Sequence, residues 1–220
     1  MLSLLKILNR IKNLKEKLKI DEIGSFNGYN IAKQHKFIEY DDENAKTICR
    51  YYVKKQKFYL NEKYKKIINK WSLKYYRSLN MYLRSSIAVP KKKEEEFKDF
   101  SEKLSKLIES SKGLEDDVIL YRDEINVDLN RFKIDQINEF NGFTSTSFSK
   151  NVALKFTKGL DNNPNYLIVI KAKKKTKGIA IDGGNMGKYR NQTEWLLNTK
   201  TKYITKNIDR YNKRILIELI

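Results

Sequence analysis

The spacing of the apolar residues changes partway along the chain, and this change limits the fold more than any other feature. Up to about residue 110 the apolar residues recur every three or four positions, as on one face of an α-helix. The clearest run is Tyr64, Ile67, Ile68, Trp71, Tyr75 and Leu79. After Gly113 they form short continuous runs at 118–121, 166–170 and 214–219, separated by Gly, Asn and Asp, which is typical of antiparallel strands. Helices followed by strands predict an α+β fold.

The first 41 residues differ from the rest of the chain. Between 4 and 18, Leu and Ile form a narrow apolar seam among Lys and Arg residues, which predicts an amphipathic helix docked on the domain. A helix that binds a membrane surface or a partner is the open alternative. Residues 21–40 contain few periodic apolar residues and indicate a connector. We therefore divide the chain into 1–41, the helix and connector, and 42–220, the main domain.

Composition excludes several kinds of site. The 220 residues contain one cysteine, Cys49, and one histidine, His35, so an intramolecular disulfide is impossible and a His/Cys metal site is disfavoured. No apolar run approaches the roughly 20 residues needed to cross a bilayer, and we expect no stable membrane insertion. The formal net charge of +19 favours acidic surfaces, polyphosphate or nucleic acid as partners, without choosing among them.

Four short segments carry the candidate site residues. The first, LNMYLR at 79–84, ends a predicted helix, and the second is Arg122, directly after the apolar run at 118–121. The third is Ser-Thr-Ser at 145–147, in a predicted strand. The fourth is the glycine-rich segment 181–197, in which Gln-x-Glu at 192–194 places both side chains on one face of a strand. Each segment alone is typical of an ordinary protein surface, but the combination of the four in one chain indicates a shared functional site.

Arg, Ser-Thr-Ser and Gln-x-Glu, in this order after a helical half, resemble the mono-ADP-ribosyltransferase toxins. Within that family the chain is most similar to the Rho-modifying exoenzymes of the botulinum C-three type. The resemblance covers roughly residues 42–220 and includes Tyr189, an aromatic residue three positions before the Gln. It implies the family's fold, a helical N-terminal half packed on a mixed, mainly antiparallel β-sandwich. It also implies NAD as a substrate and no metal.

The resemblance gives Glu194 the central catalytic role. A fixed carboxylate stabilises the oxocarbenium-like state that forms when the bond from ribose to nicotinamide breaks, as in glycosidases. Ser145 would hold Glu194 in place, and Thr146 and Ser147 would complete the supporting strand. Composition agrees with this chemistry, because it needs no metal, histidine or cysteine.

The resemblance also implies the contacts to NAD. Arg122 and Arg84 would bind the diphosphate, because a guanidinium pairs bidentately with phosphate oxygens. Asn80 lies one helical turn before Arg84, on the same face. Arg131 is a further candidate contact. Phe156 or Phe148 would belong to a loop that covers the nicotinamide, although either aromatic residue could equally belong to the core.

Gln192 and Tyr189 bear on the acceptor. Family members with Glu-x-Glu mostly modify arginine, whereas an amide can pair with an Asn or Gln side chain or with the edge of a base. The resemblance therefore implies a secreted toxin that modifies an amide of a Rho-type small GTPase in the host-cell cytoplasm, with NAD hydrolysis as a side activity. No secretory signal is recognisable at the N-terminus, so a delivery component or another export route is expected. Transfer to guanine in DNA, or a non-catalytic basic module that binds nucleic acid or membranes, remain open alternatives.

Overall fold

The computed structural model describes residues 37–156, 165–182 and 193–220, apart from the side chain of Tyr59. The amphipathic helix predicted near the N-terminus lies outside these ranges. The described helices are α1 (Asp42–Gln56), α2 (Glu62–Lys70), α3 (Tyr76–Leu83), α4 (Lys91–Glu109) and α5 (Lys150–Lys155). The described strands are β1 (Val118–Glu124), β2 (Ile137–Glu139), β3 (Thr144–Ser147), β4 (Tyr166–Ala172), β5 (Ile179–Asp182), β6 (Thr193–Leu197), β7 (Lys202–Asp209) and β8 (Arg214–Leu219).

The helical half predicted from the apolar spacing is divided into several segments between Asp42 and Leu83. Helix α1 ends at Gln56, and the next residue, Lys57, has a φ of 56°, in the left-handed region that commonly terminates helices. A 3-10 turn follows, and Asn61 then starts α2 by accepting hydrogen bonds from two backbone N–H groups of its first turn. Between α2 and α3, Trp71–Tyr75 form a π-helical segment. Such a wider turn is rare and frequently marks a functional site.

Helices α2 to α4 pack together against one end of the sheet. Their apolar residues share a buried cluster with strand residues Ile179, Ile181 and Leu196. Tyr75 packs edge-to-face on both Phe97 and Phe100 of α4. In the described part of the chain, no helix is long and apolar enough to cross a membrane.

The described strands form one mixed sheet in the order β2-β7-β8-β4-β1-β3-β6-β5. Strands β4 and β8 are parallel, and the other pairs are antiparallel. This confirms the predicted α+β fold with a mixed, mainly antiparallel strand half. Strand β1 and strands β4 to β8 all contribute side chains to one buried cluster. Because β1, β3 and β6 are neighbours, the segments that carry the candidate site residues come together.

Helix α1 covers strands β5 and β6 from the side of this cluster. The thiol of Cys49 is fully buried and contacts the backbone oxygens of Ile181, at 3.6 Å, and Glu194, at 3.8 Å. Burial, and then the nearby charges of Asp182 and Glu194, raise the pKa of this thiol. Cys49 is therefore a protonated core residue and not a nucleophile.

Candidate active site

Three neighbouring strands bring distant parts of the chain into one row. Tyr121 of β1 lies opposite Ser147 of β3, and Ser147 lies opposite Glu194 of β6. Arg122 follows Tyr121 in β1, and its Nη1 donates a hydrogen bond to the backbone oxygen of Ser145 at 3.0 Å. The register thus joins three of the four segments singled out in the sequence.

Glu194 is a buried carboxyl group, with 6% of its surface exposed. Burial raises its pKa to about 7, although hydrogen bonds from the side chains of Ser145 and Trp71 and the positive charge of Arg122 act in the opposite direction. Its Oε1 accepts no hydrogen bond from the described residues. Near neutral pH the Glu194 carboxyl group is therefore present both as the acid and as the anion. Such a shifted pKa is common among residues of active sites.

The Ser-Thr-Ser strand supports the row of strands through its hydroxyl groups. Ser145 points to the same face as Ser147 and Glu194, because side chains alternate along a strand. Thr146 donates a hydrogen bond from Oγ1 to the backbone oxygen of Trp195 at 2.6 Å. The hydroxyls of Ser147 and Thr193 are hydrogen-bonded at 2.7 Å. Ser145 thus serves the carboxyl group, while Thr146 and Ser147 fix β3 to β6.

A positively charged cleft lies beside these strands. It has a volume of about 490 Å³, and its cationic lining residues are Arg84, Arg122, Arg131 and Lys133. Glu124 and Glu139 also line it. Burial, and then the charges of Arg122 and Arg131, lower the pKa of Arg84, while Glu124 opposes them. The cleft therefore holds more positive than negative charge and is suited to an anion with several oxygens.

Glu124 stands at the centre of the arginines. Its Oε2 lies 3.1 Å from Nε of Arg122, and its Oε1 lies 2.8 Å from Nη2 of Arg131. Burial alone would raise the pKa of Glu124, but the charges and hydrogen bonds of Arg122 and Arg131 together lower it to about 2. Glu124 is thus an anion at any physiological pH.

Asn80 and Arg84 connect the helical half to this cleft. The Asn80 side chain donates a hydrogen bond from Nδ2 to the backbone oxygen of Phe143 at 2.9 Å, just before β3. Gly142 lies against the same side chain, because a Cβ atom there would stand 2.7 Å from Oδ1 of Asn80 and 3.5 Å from Nε of Arg84. The absence of a side chain at Gly142 therefore allows the helix end and β3 to approach.

The remaining candidates have mixed positions. Arg131 lies in the cleft with the other arginines. Phe148 is fully buried in the core, whereas Phe156, after α5, is 47% exposed and does not line the cleft. Tyr189 and Gln192 lie outside the described residues. Among the residues that are described, no group of three or more His, Cys, Asp and Glu side chains could hold a metal ion.

Sequence reasoning missed two residues of the site. Glu124 follows Arg122 by two positions, and this spacing on a strand was a signal that the two side chains share a face. Trp71 belongs to the apolar run of the predicted helix, and it is buried in contact with Phe143. Trp71 also donates a hydrogen bond to Glu194, and the helical spacing of the apolar residues gave no sign of this contact.

Comparisons with known proteins agree on one family. A sequence model described as "ADP-ribosyltransferase exoenzyme" matches residues 9–220. Plx2a, an ADP-ribosyltransferase toxin from Paenibacillus larvae, shares the fold with a TM-score of 0.65 at 20% identity, over 84% of this chain and 98% of Plx2a. C3stau2 from S. aureus, solved with NAD, has a TM-score of 0.62 at 20% identity, over 84% of this chain and 98% of its own.

A third solved structure, the C3 exoenzyme of Clostridium limosum, extends the agreement. Its TM-score is 0.62 at 17% identity, over 84% of this chain and 98% of the exoenzyme. These identities are low, so the likeness concerns the fold. No sequence among the curated proteins matches the chain.

Proposed function

Because the chain belongs to the ADP-ribosyltransferase exoenzyme family, we propose that it transfers ADP-ribose from NAD to an Asn or Gln side chain of a Rho-type small GTPase. Its fold is that of the mono-ADP-ribosyltransferase toxins. The observation that carries the proposal is the meeting of Arg84, Arg122 and Glu194 around the Ser145 strand, although these residues are up to 110 positions apart in the sequence.

In this proposal the cleft binds the diphosphate of NAD. Arg84 and Arg122 carry the charge and the donor geometry that phosphate oxygens require. Asn80 fixes the helix end that carries Arg84, through its hydrogen bond to the chain before β3. Arg131 adds a third guanidinium within the same cleft.

Glu194 acts on the ribose as an anion. When the bond between the ribose C1′ and the nicotinamide nitrogen breaks, its electron pair leaves with nicotinamide, and positive charge develops on the ribose. The carboxylate stabilises this charge, and Ser145 and Trp71 hold it in position. The acceptor amide nitrogen then forms a bond to C1′ and loses a proton. If water takes the place of the acceptor, the result is NAD hydrolysis.

Acceptor selection is assigned to the segment before β6. Gln192 would pair with the acceptor amide, and Tyr189 would contact the surface of the GTPase around it. Phe156 begins the stretch between α5 and β4, and we assign it to the cover over the nicotinamide end of NAD. Thr146 and Ser147 support this arrangement from β3. In this proposal residues 42–220 form the catalytic domain and 1–41 its N-terminal helix and connector, of which Phe37 and Tyr40 are buried in the core of that domain.

The proposed site of action is the host-cell cytoplasm, after secretion. The fold is shared with toxins such as Plx2a, which supports this assignment. Entry into the host cell would use a delivery component or a route of the protein's own.

A nucleobase is the second candidate acceptor. The net charge of +19 favours association with DNA through its phosphates. The amide of Gln192 could pair with a guanine edge as well as with a protein amide. The chemistry at Glu194 would be the same, and only the acceptor would differ.

One labelling experiment tests both acceptors. The protein is incubated with labelled NAD and either a purified Rho-type GTPase or duplex DNA, alongside the Glu194→Gln, Gln192→Ala and Glu218→Gln variants. We expect label on the GTPase that is lost with Glu194→Gln and retained with Glu218→Gln, since Glu218 lies on β8 in an ion pair with Lys173. Gln192→Ala should lose transfer but keep much of the NAD hydrolysis.

Each other result has a definite meaning. Label on DNA would keep the chemistry and replace the acceptor. Intact NAD with both acceptors would contradict the transferase proposal and favour a basic binding module. Equal loss of transfer and hydrolysis in Gln192→Ala would show that Gln192 acts on NAD and not on the acceptor.

A further inference from the structure

The carboxylate of Glu124 bridges two guanidiniums of the cleft. Its side chain is 14% exposed, and both oxygens are in use, Oε2 with Nε of Arg122 and Oε1 with Nη2 of Arg131. Arg122 is also 17% exposed and donates from Nη1 to the backbone oxygen of Ser145. Two anchor points on one rigid, planar group fix both its position and its plane.

The second arginine is restrained in a similar way. Arg131 lies in the turn Leu129–Arg131, and its guanidinium stands over the ring of Phe132 at 4.5 Å from the ring centre. The ion pair with Glu124 ties this turn to the end of β1. Without the carboxylate, three neighbouring guanidiniums would repel one another and would be free to turn towards solvent.

The charge of Glu124 is unexpected in a cleft that binds an anion. A carboxylate among the arginines repels phosphate oxygens, so long-range electrostatics alone would favour its absence. Its presence here is explained if the geometry it imposes outweighs the repulsion. A fixed fork of donors binds phosphate better than mobile ones, because less conformational freedom is lost on binding.

We propose that Glu124 is a positioning residue for NAD, which holds Arg122 and Arg131 in the orientation that receives the diphosphate. This rests on the proposed function, since it takes NAD as the ligand of the cleft. Glu124 itself does not contact the reacting atoms. It acts through the two arginines.

The proposal is tested by whether the KM for NAD rises or falls when the negative charge of Glu124 is removed. Glu124→Gln makes the cleft more positive by one charge but abolishes one charged partner of each arginine. Positioning predicts weaker binding, with the KM for NAD raised about tenfold, which is the loss of about one charge-assisted hydrogen bond, while kcat in NAD hydrolysis changes by less than about threefold. Electrostatics alone predicts an unchanged or lower KM, and that result would overturn the proposal.

Glu218→Gln is the matched control. Glu218 is 17% exposed and forms one ion pair, with Lys173 at 2.7 Å, but it lies on β8 outside the cleft. Its substitution changes the net charge equally and removes a comparable ion pair. We expect it to leave the KM for NAD within about twofold. A similar rise in KM for both variants would mean a general loss of structure, and would contradict a specific role of Glu124.

Two further measurements keep the proposal testable if Glu124→Gln folds poorly or if NAD is not consumed. Arg131→Lys keeps the charge but loses the planar fork, and we expect its KM to rise to a similar extent, with little additional rise in the double variant. Direct titration with ADP-ribose needs no turnover, so it tests Glu124 even where the wild-type protein fails to hydrolyse NAD. An ADP-ribose affinity that is unaffected in both variants would refute the role of Glu124, whereas failed hydrolysis with intact ADP-ribose binding would count only against the proposed reaction.

Discussion

Replacing Glu194 by glutamine should abolish NAD turnover and at the same time stabilise the folded protein at alkaline pH. The carboxyl group is buried, and its pKa in the folded protein is about 7, against an ordinary value of 4.5. The anion is therefore held in an environment that disfavours it. Glutamine keeps the shape of the side chain but never carries the charge.

The expected size follows from proton linkage. Below pH 4.5 the carboxyl group is protonated in both the folded and unfolded states. Between pH 4.5 and about 7 the unfolded state has lost the proton while the folded state retains it, so the free energy of unfolding of the wild-type protein falls by up to about 1.4 kcal/mol per pH unit. By pH 8 the loss amounts to about 3 kcal/mol. Relative to the wild type, Glu194→Gln should gain this amount between pH 4 and pH 8.

Urea unfolding at pH 4, 5, 6, 7 and 8 measures the difference between the two proteins directly. Glu218→Gln is a control of opposite sign. Burial would raise the pKa of Glu218, but its hydrogen bond and charge interaction with Lys173 lower it, so this anion stabilises the folded state and the variant should lose stability above pH 5. A difference for Glu194→Gln that stays flat from pH 4 to pH 8 would refute the view that the buried carboxylate is disfavoured.

Three further changes test separate parts of the site. The rate of NAD hydrolysis should reach half its maximum near pH 7, because only the Glu194 anion is active. Trp71→Phe should move this midpoint upwards, because it removes a hydrogen bond that lowers the pKa of Glu194; rate profiles from pH 5 to 9 measure both. Gly142→Ala places a Cβ atom 2.7 Å from Oδ1 of Asn80, so steady-state kinetics should show the KM for NAD raised about tenfold. Gly178→Ala places its Cβ atom against the buried indole nitrogen of Trp195. Urea unfolding should show the free energy of unfolding lowered by about 3 kcal/mol, with the KM for NAD unchanged in the protein that remains folded.

Much of the site could be predicted because strand register converts sequence order into proximity. Arg122, Ser145 and Glu194 stand on β1, β3 and β6, which are neighbours in the sheet. Once the three segments are paired as strands, the backbone places their polar residues close together. The resemblance to the toxins assigned these residues to one site, which local patterns do not contain.

The parts that could not be predicted depend on contacts between elements. Glu124 looks like an ordinary charged residue at a strand end, and its partner Arg131 reaches it only through a turn whose path the sequence does not specify. The break after α1 likewise depends on Lys57 adopting a left-handed conformation, for which Gly or Asn would have been the usual signal.

The π-helical segment between α2 and α3 sets the rotational phase of the helix that follows. Its wider turn, closed by the Tyr76 N–H to the Trp71 oxygen, lets Trp71 reach Glu194 while Asn80 binds the chain before β3 and Arg84 lines the cleft. A regular helix turns about 100° per residue, so deleting one residue here would rotate Asn80 and Arg84 away from their present positions by about that angle. The length of this stretch is therefore as constrained as the identity of its residues.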